Sequence, residues 1–262
     1  MIPADDNANE TPKTTYRSRF GRFSPSMGWK AFWSEIIIVV LGVMIALAAN
    51  EMVENWNWQN KVRDGEIRLK QDAEFTFYSL TEQVAVAPCV DAQLAGITRI
   101  LMDSNIKLNT VPIFSETNRR YVVRMPERPF ALPVWQSMVA DGTASHFPDK
   151  RQSTFGNLSD RLTLMQFGNR EVNLLSERLL TMGYPLLFQS GERREILLDI
   201  EGLRSRVDRE ASSAEQLMSL MLELKIEPNA ESVNQFLKES GTVKFCKAHG
   251  YPLADWRSYK TK

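Results

Sequence analysis

Residues Ile36–Ala49 read IIIVVLGVMIALAA, fourteen apolar residues without a break, and Ala31, Phe32 and Trp33 extend the run backwards past Ser34 and Glu35. At about 1.5 Å per residue a helix from Ala31 to Val53 covers roughly 34 Å, enough for a hydrocarbon core of about 30 Å. Trp29 and Trp33 precede the run and Trp56 and Trp58 follow it, the placement of an interfacial aromatic belt. The alternative is a buried core helix. A soluble helix seldom carries an apolar surface on every side with tryptophan pairs at both rims, so the stretch reads as a transmembrane helix over residues 29–56.

The flanks orient it. Lys13, Arg17, Arg19, Arg22 and Lys30 stand before the run with no acidic residue among them, whereas Glu51 and Glu54 open the other side. By the positive-inside rule the N-terminus stays in the cytoplasm. Residues 1–28 are polar and turn-rich and read as a disordered cytoplasmic tail, its RSRFGRF segment lying against anionic headgroups. Ala46-Leu47-Ala48 before Ala49 also fits the small-x-small pattern of signal-peptide cleavage, with an unusually long leader and no role for Trp56 and Trp58. On either reading residues 57–262 leave the cytoplasm as a periplasmic domain of a bacterial inner-membrane protein.

That domain reads as all-α, the transmembrane helix continuing into an exported helical bundle of four to five helices with one long irregular loop. Trp58, Val62, Gly65, Leu69, Asp72/Ala73, Thr76, Leu80 and Val84 recur at spacings of three and four, the seam of a helix packed along one side. This helix is expected to reach Ala87 and break at Pro88, with Cys89–Ser104 running back along it as a second helix. Residues 105–132 hold Pro112, Pro126 and Pro129 without helical period, around a β-prone Tyr121-Val122-Val123. Pro133 then starts a helix turning Trp135, Met138 and Val139 inward and ending at Gly142. Two long amphipathic helices come next, from Asp149 to about Met182 and over roughly 190–226, the second with a polar stretch at 208–215. A last helix at 229–240 leads into a tail with Cys246, His249 and Trp256.

The chain has 262 residues, 43% of them hydrophobic, and can bury a sizeable core. Lysine plus arginine total 32 and aspartate plus glutamate total 32, so no global field favours nucleic acid, which is not expected as a partner. Catalytic, cofactor and metal motifs are missing: there is no Gly-x-Ser-x-Gly, no His-Glu-x-x-His, no phosphate loop and no dinucleotide fingerprint. We expect no enzyme and no cofactor. His146 beside Phe147 reads as a histidine bonded to backbone, and Glu192/Glu195 and Glu171/Glu177 as solvated partners of Arg193, Arg194, Arg170 and Arg178.

Three features remain open to function. Cys89 and Cys246, both on the exported side, form a disulfide, stay as two thiols, or join His249 of Cys246-Lys247-Ala248-His249 as metal ligands. Arg119, Arg120, Arg124 and Arg128 of RRYVVRMPER make either a binding loop for anionic headgroups, glycans or a protein, or a strap paired with helix carboxylates. In the membrane helix, Glu35, Val39, Gly42, Ala46, Ala49, Asn50 and Val53 share one face, where Gly42-x-x-x-Ala46 admits another backbone and Asn50 can bond across the contact. Glu35, a turn inside the cytoplasmic rim, either snorkels or meets a cation on another helix. The implied partners are the lipid bilayer and another membrane or periplasmic protein, or a second copy of the chain.

The segment Glu35–Leu47 with Asn50 and Asn55-Trp56-Asn57, and downstream Trp135-Gln136-Ser137-Met138 with Asp141-Gly142, resembles a family of uncharacterised single-pass bacterial envelope proteins. That family, a domain of unknown function, carries an EIxIVVxGVxIAL-type membrane helix. The matches cover less than a quarter of the chain. The resemblance implies a membrane-anchored helical domain and brings no activity with it. The function expected is therefore a scaffold or accessory subunit of an envelope complex, with a periplasmic ligand-sensing bundle as the alternative.

Overall fold

A computed structural model describes residues 28–116, 119–189 and 191–257, and the chain divides into two compact units, Met1–Asn55 and Trp56–Lys262. The N-terminal tail through residue 27, with most of its basic flank, lies outside the described residues. The described chain is mostly helical, with six helices and one two-stranded hairpin.

Helix α1 runs from Trp29 to Asp103. In the first unit every residue from Phe32 onward is exposed, and the most apolar 18-residue window has a mean hydropathy of 2.5 with none of it buried. By length and composition this stretch can cross a membrane. Glu35, Gly42, Ala46, Ala49 and Asn50 are all exposed, and nothing lies within 4 Å of a Cβ placed on Gly42.

In the second unit α1 is the central element. Gly65, Leu69, Ala73, Thr76, Leu80 and Val84 are buried, as their spacing predicts. From Ser79 to Val86, however, every residue is buried, so here the helix is covered on all sides and not along one seam. Pro88 does not end it, and Cys89–Asp103 is a continuation of α1, not a helix running back. A proline removes one N–H and disturbs the carbonyls a turn earlier. One of these, the Ala85 carbonyl, accepts a hydrogen bond from the Ala254 N–H at 2.9 Å, and Cys89 beside the proline is bonded to Cys246. Tertiary partners thus hold a helix that local rules would break. Its C-terminus is capped from outside as well, since Arg193 donates to the carbonyls of Leu101, Ser104 and Asn105.

The excursion after α1 contains a hairpin, β1 (Phe114–Glu116) paired antiparallel with β2 (Arg119–Tyr121), after which Val122 and Val123 turn into the core. Helix α2 spans Pro133–Ala140; Trp135 and Met138 are buried, but Val139 is 57% exposed and does not face inward. Gly142 comes after it at φ +80°, the left-handed turn expected of a glycine there. Helices α3 (Asp149–Leu179) and α4 (Glu192–Glu223) pack antiparallel: Arg161 reaches Gln216, Gly168 faces Glu210, and Gly202 faces Leu175. Helix α5 (Ala230–Glu239) is succeeded by a further helix, α6 (Gly241–Ala248), in place of the expected tail. Ser240 ends one and starts the other, its Oγ accepting from the Val243 N–H at 3.1 Å.

Two apolar clusters fill this unit. One gathers Leu69, Phe77, Leu80, Trp135, Phe155, Leu158, Leu217 and Met221, the other Val90, Leu94, Leu101, Val122, Val172, Ile200 and Leu203.

Candidate functional site

Each long element passes from one cluster to the other at a buried polar side chain. Helix α1 contributes to the first cluster up to Val84 and to the second from Val90, and buried Glu82 and Gln83 stand just before the changeover. Helix α3 changes between Met165 and Val172, with Asn169 buried there. Helix α4 changes between Val207 and Ala214, with Glu210 there. The strap changes cluster between Met125 and Phe130, at the half-buried Arg128. The core is therefore divided by a polar layer.

Part of the layer is fully satisfied. Glu82, 1% exposed, receives the Arg128 Nε at 2.6 Å and the Ser240 hydroxyl on its other oxygen. Asn169 Nδ2 donates to the Arg128 carbonyl at 3.1 Å. On either side the backbone is bonded by helix side chains: Gln93 exchanges two hydrogen bonds with Arg124 of the strap, Gln166 accepts from the Phe130 N–H, and Asp72 accepts from the Val134 N–H in the first turn of α2. Burial pushes the Asp72 carboxyl up, against the opposing effect of that N–H. This is how a segment without helical period lies in the interior with its polar groups bonded.

The four arginines of RRYVVRMPER are not equivalent. Arg128, half-buried, joins the polar layer through Glu82, and Arg124 pairs with Glu116 at 2.9 Å. Arg119 pairs with Glu127, and Arg120 donates to the Tyr184 hydroxyl at 2.7 Å. The segment is a strap with each arginine partnered. Arg119, Arg120 and Arg124 line a cleft of about 250 Å³ together with Glu127 and Glu177, so acidic groups offset its charge.

Cys89 and Cys246 are joined in a disulfide with their Cα atoms 6.0 Å apart, which leaves neither sulfur as a thiolate ligand. Among the described residues no group of three or more His, Cys, Asp or Glu could hold a metal ion. His249 Nδ1 bonds to the Phe245 carbonyl at 2.9 Å, and its ring packs against Phe245 and Phe114, joining α6 to the hairpin. His146 stacks on Trp58 at 4.1 Å, in place of the expected backbone bond. The helix-surface pairings also differ from simple neighbours: Arg178 pairs with Asp199, Arg206 with Glu171, and Glu192 accepts from the Gln189 N–H.

Glu210 is the unbalanced member of the polar layer. It is 5% exposed, and its Oε2 accepts from Gln83 Nε2 at 2.8 Å, while Oε1 has no hydrogen-bond partner among the described residues. Burial pushes its carboxyl up to about 7, against the pull of the Arg206 guanidinium. Oε1 lies toward Gly168 of α3, where an added Cβ would come to 3.1 Å, so the missing side chain makes room for the carboxyl. Above it, between α3 and α4, opens a cleft of about 540 Å³ lined by Arg161, Leu164, Gly168, Arg209 and Leu217. The sequence does not single out Glu210, because it sits in the polar stretch 208–215. Its one signal there is register, three residues after Val207 and four before Ala214 on the buried stripe.

No family model matches this chain, and no curated protein or solved structure is similar to it, so its functional reading rests on these residues.

Proposed function

We propose that this chain is a single-pass protein of a bacterial inner membrane, with a cytoplasmic N-terminus and the unit Trp56–Lys262 in the periplasm, acting as a scaffold or accessory subunit of an envelope complex without catalysis of its own. The observation that carries the reading is the 18-residue stretch of α1 with a mean hydropathy of 2.5, none of it buried. So much contiguous apolar surface is stable in hydrocarbon and not in water. The Cys89–Cys246 disulfide suits an oxidising compartment, and the resemblance of Glu35–Leu47 to envelope proteins points the same way. Gly42, Ala46 and Asn50 on one helix face give a partner helix, or a second copy, a place to approach. Cross-linking in native membranes followed by purification tests the role. A defined cross-linked species containing the chain is expected, and recovery of uncross-linked monomer alone counts against it.

A second reading, a periplasmic ligand-sensing bundle that signals through a partner, is favoured by one observation. The cleft between α3 and α4 has a buried, half-bonded carboxyl at its floor.

A further inference from the structure

We propose that the cleft between α3 and α4 binds a small amphipathic amine, its ammonium seated on Glu210 Oε1 and its apolar body lying against Met165 and Leu217 beneath Leu164 and Phe167. The inference rests on the ligand-sensing reading for the existence of a ligand and takes nothing from the membrane anchor.

The fold leaves one buried carboxylate oxygen without a donor among the described residues. A buried acceptor without a donor is costly, and elsewhere in this polar layer the carboxylate is fully bonded: Glu82 has both Arg128 and Ser240. Glu210 has Gln83 on one oxygen only. No described side chain lining the cleft donates to Oε1, Arg209 and Ser213 included. Arg206 is bonded to Glu171, and Arg161 to Asn157 and Gln216. A donor from outside completes the site, and a cationic donor forms the stronger, charge-assisted bond to a carboxylate.

The walls set the rest of the ligand. Leu164 and Phe167 are 70% and 57% exposed, three residues apart on α3, and form an apolar rim that no described element covers. Met165 and Leu217 line the cleft below them. A volume of about 540 Å³ lies in the range of about 300–1,000 Å³ that small molecules occupy. Gly168 keeps the approach to Oε1 free of a side chain, and the rim residues Leu164, Phe167 and Arg209 are exposed; Oε1 itself is covered, so seating the ammonium requires rim side chains to turn aside. Arg161 and Arg209 line the cleft and Glu171 there is already paired with Arg206, so a second positive charge on the ligand is disfavoured.

The test uses the full chain in lipid nanodiscs at pH 8 and the probe 4-fluorophenethylammonium, with neutral 3-(4-fluorophenyl)propan-1-ol and anionic 3-(4-fluorophenyl)propanoate as analogues. Binding is read by fluorine NMR titration against empty nanodiscs. The ammonium should bind saturably and about tenfold or more tighter than either analogue. Glu210→Gln should erase that preference, and Leu164→Ser, on the exposed rim, should weaken the ammonium and the alcohol alike severalfold. Circular dichroism checks that the variants fold; if Glu210→Gln does not, the loss in Leu164→Ser together with the charge preference of the unaltered chain decides. Equal binding of the alcohol or the propanoate, sensitive to Leu164→Ser, overturns the amine and leaves a ligand-sensing cleft. No saturable binding by any probe, or binding indifferent to both substitutions, overturns the site.

Discussion

Replacing Glu210 by glutamine changes one proton and almost no volume, which makes it the sharpest probe of the polar layer. The carboxyl is raised from 4.5 to about 7 by burial, so between those values the folded chain holds a proton that the unfolded chain has lost. Stability contributed by this group is therefore full below about 4.5 and falls as pH rises through about 7. At about 1.4 kcal/mol per pH unit the loss is about 3 kcal/mol. Other groups around it, Glu171 and Arg161 from α3 and Arg206 and Arg209 on α4, are common to both chains, and α1 faces it with neutral Gln83, so they cancel in a comparison. Urea unfolding of the full chain in mild detergent, monitored by far-ultraviolet circular dichroism at pH 5 and pH 8, measures the difference between variant and unaltered chain. Glu210→Gln should gain about 2–3 kcal/mol relative to the unaltered chain on going from pH 5 to pH 8. No pH-dependent difference, or one of opposite sign, would refute the view that Glu210 is held against its own ionisation.

Cys246→Ser opens a loop of 157 residues, and the chain-entropy model sets the loss at up to about 5 kcal/mol, to be read as a lower unfolding midpoint without reductant. Arg128→Ala leaves Glu82 buried without its cation and should cost about 3–5 kcal/mol in the same assay. The double variant Glu82→Met/Arg128→Met should cost clearly less, because it removes the charge with its partner. In membranes, Gly42→Ile should reduce cross-linking of the anchor helix whereas Ile37→Ala on the opposite face should not; equal yields remove the case for the small-residue face.

How far each element is legible in the sequence depends on how it is buried. Helices α3 and α4 each bury one face, so Phe155, Leu158, Leu162, Met165 and Ile200, Leu203, Val207 repeat with helical period and mark them plainly. The apolar run of α1 is equally plain, because nothing else in the chain approaches its length. Between Ser79 and Val86 the helix is covered all round, periodicity disappears, and buried Thr81, Glu82 and Gln83 look like surface. Pro88 misleads for a related reason: the rule that proline breaks a helix describes a helix alone, and this one is held by Ala254 and by the disulfide. The partners of the arginine strap are out of reach of local patterns, since Arg128 meets a carboxylate 46 residues earlier. Helix α6 is hidden because Ser240, which ends α5, also caps the helix beginning at Gly241. Glu210 is legible in its spacing but lost among the polar residues on either side.

The membrane anchor is the claim on which the proposed role depends, and the direct measurement is protease treatment of spheroplasts whose protein carries one epitope before Met1 and another after Lys262. External protease should remove the C-terminal epitope while the N-terminal epitope survives on a membrane-bound fragment that contains residues 29–56. A mature protein that begins at Ala49 and leaves with the periplasmic fraction, or a C-terminal epitope protected until the membrane is broken, would contradict it.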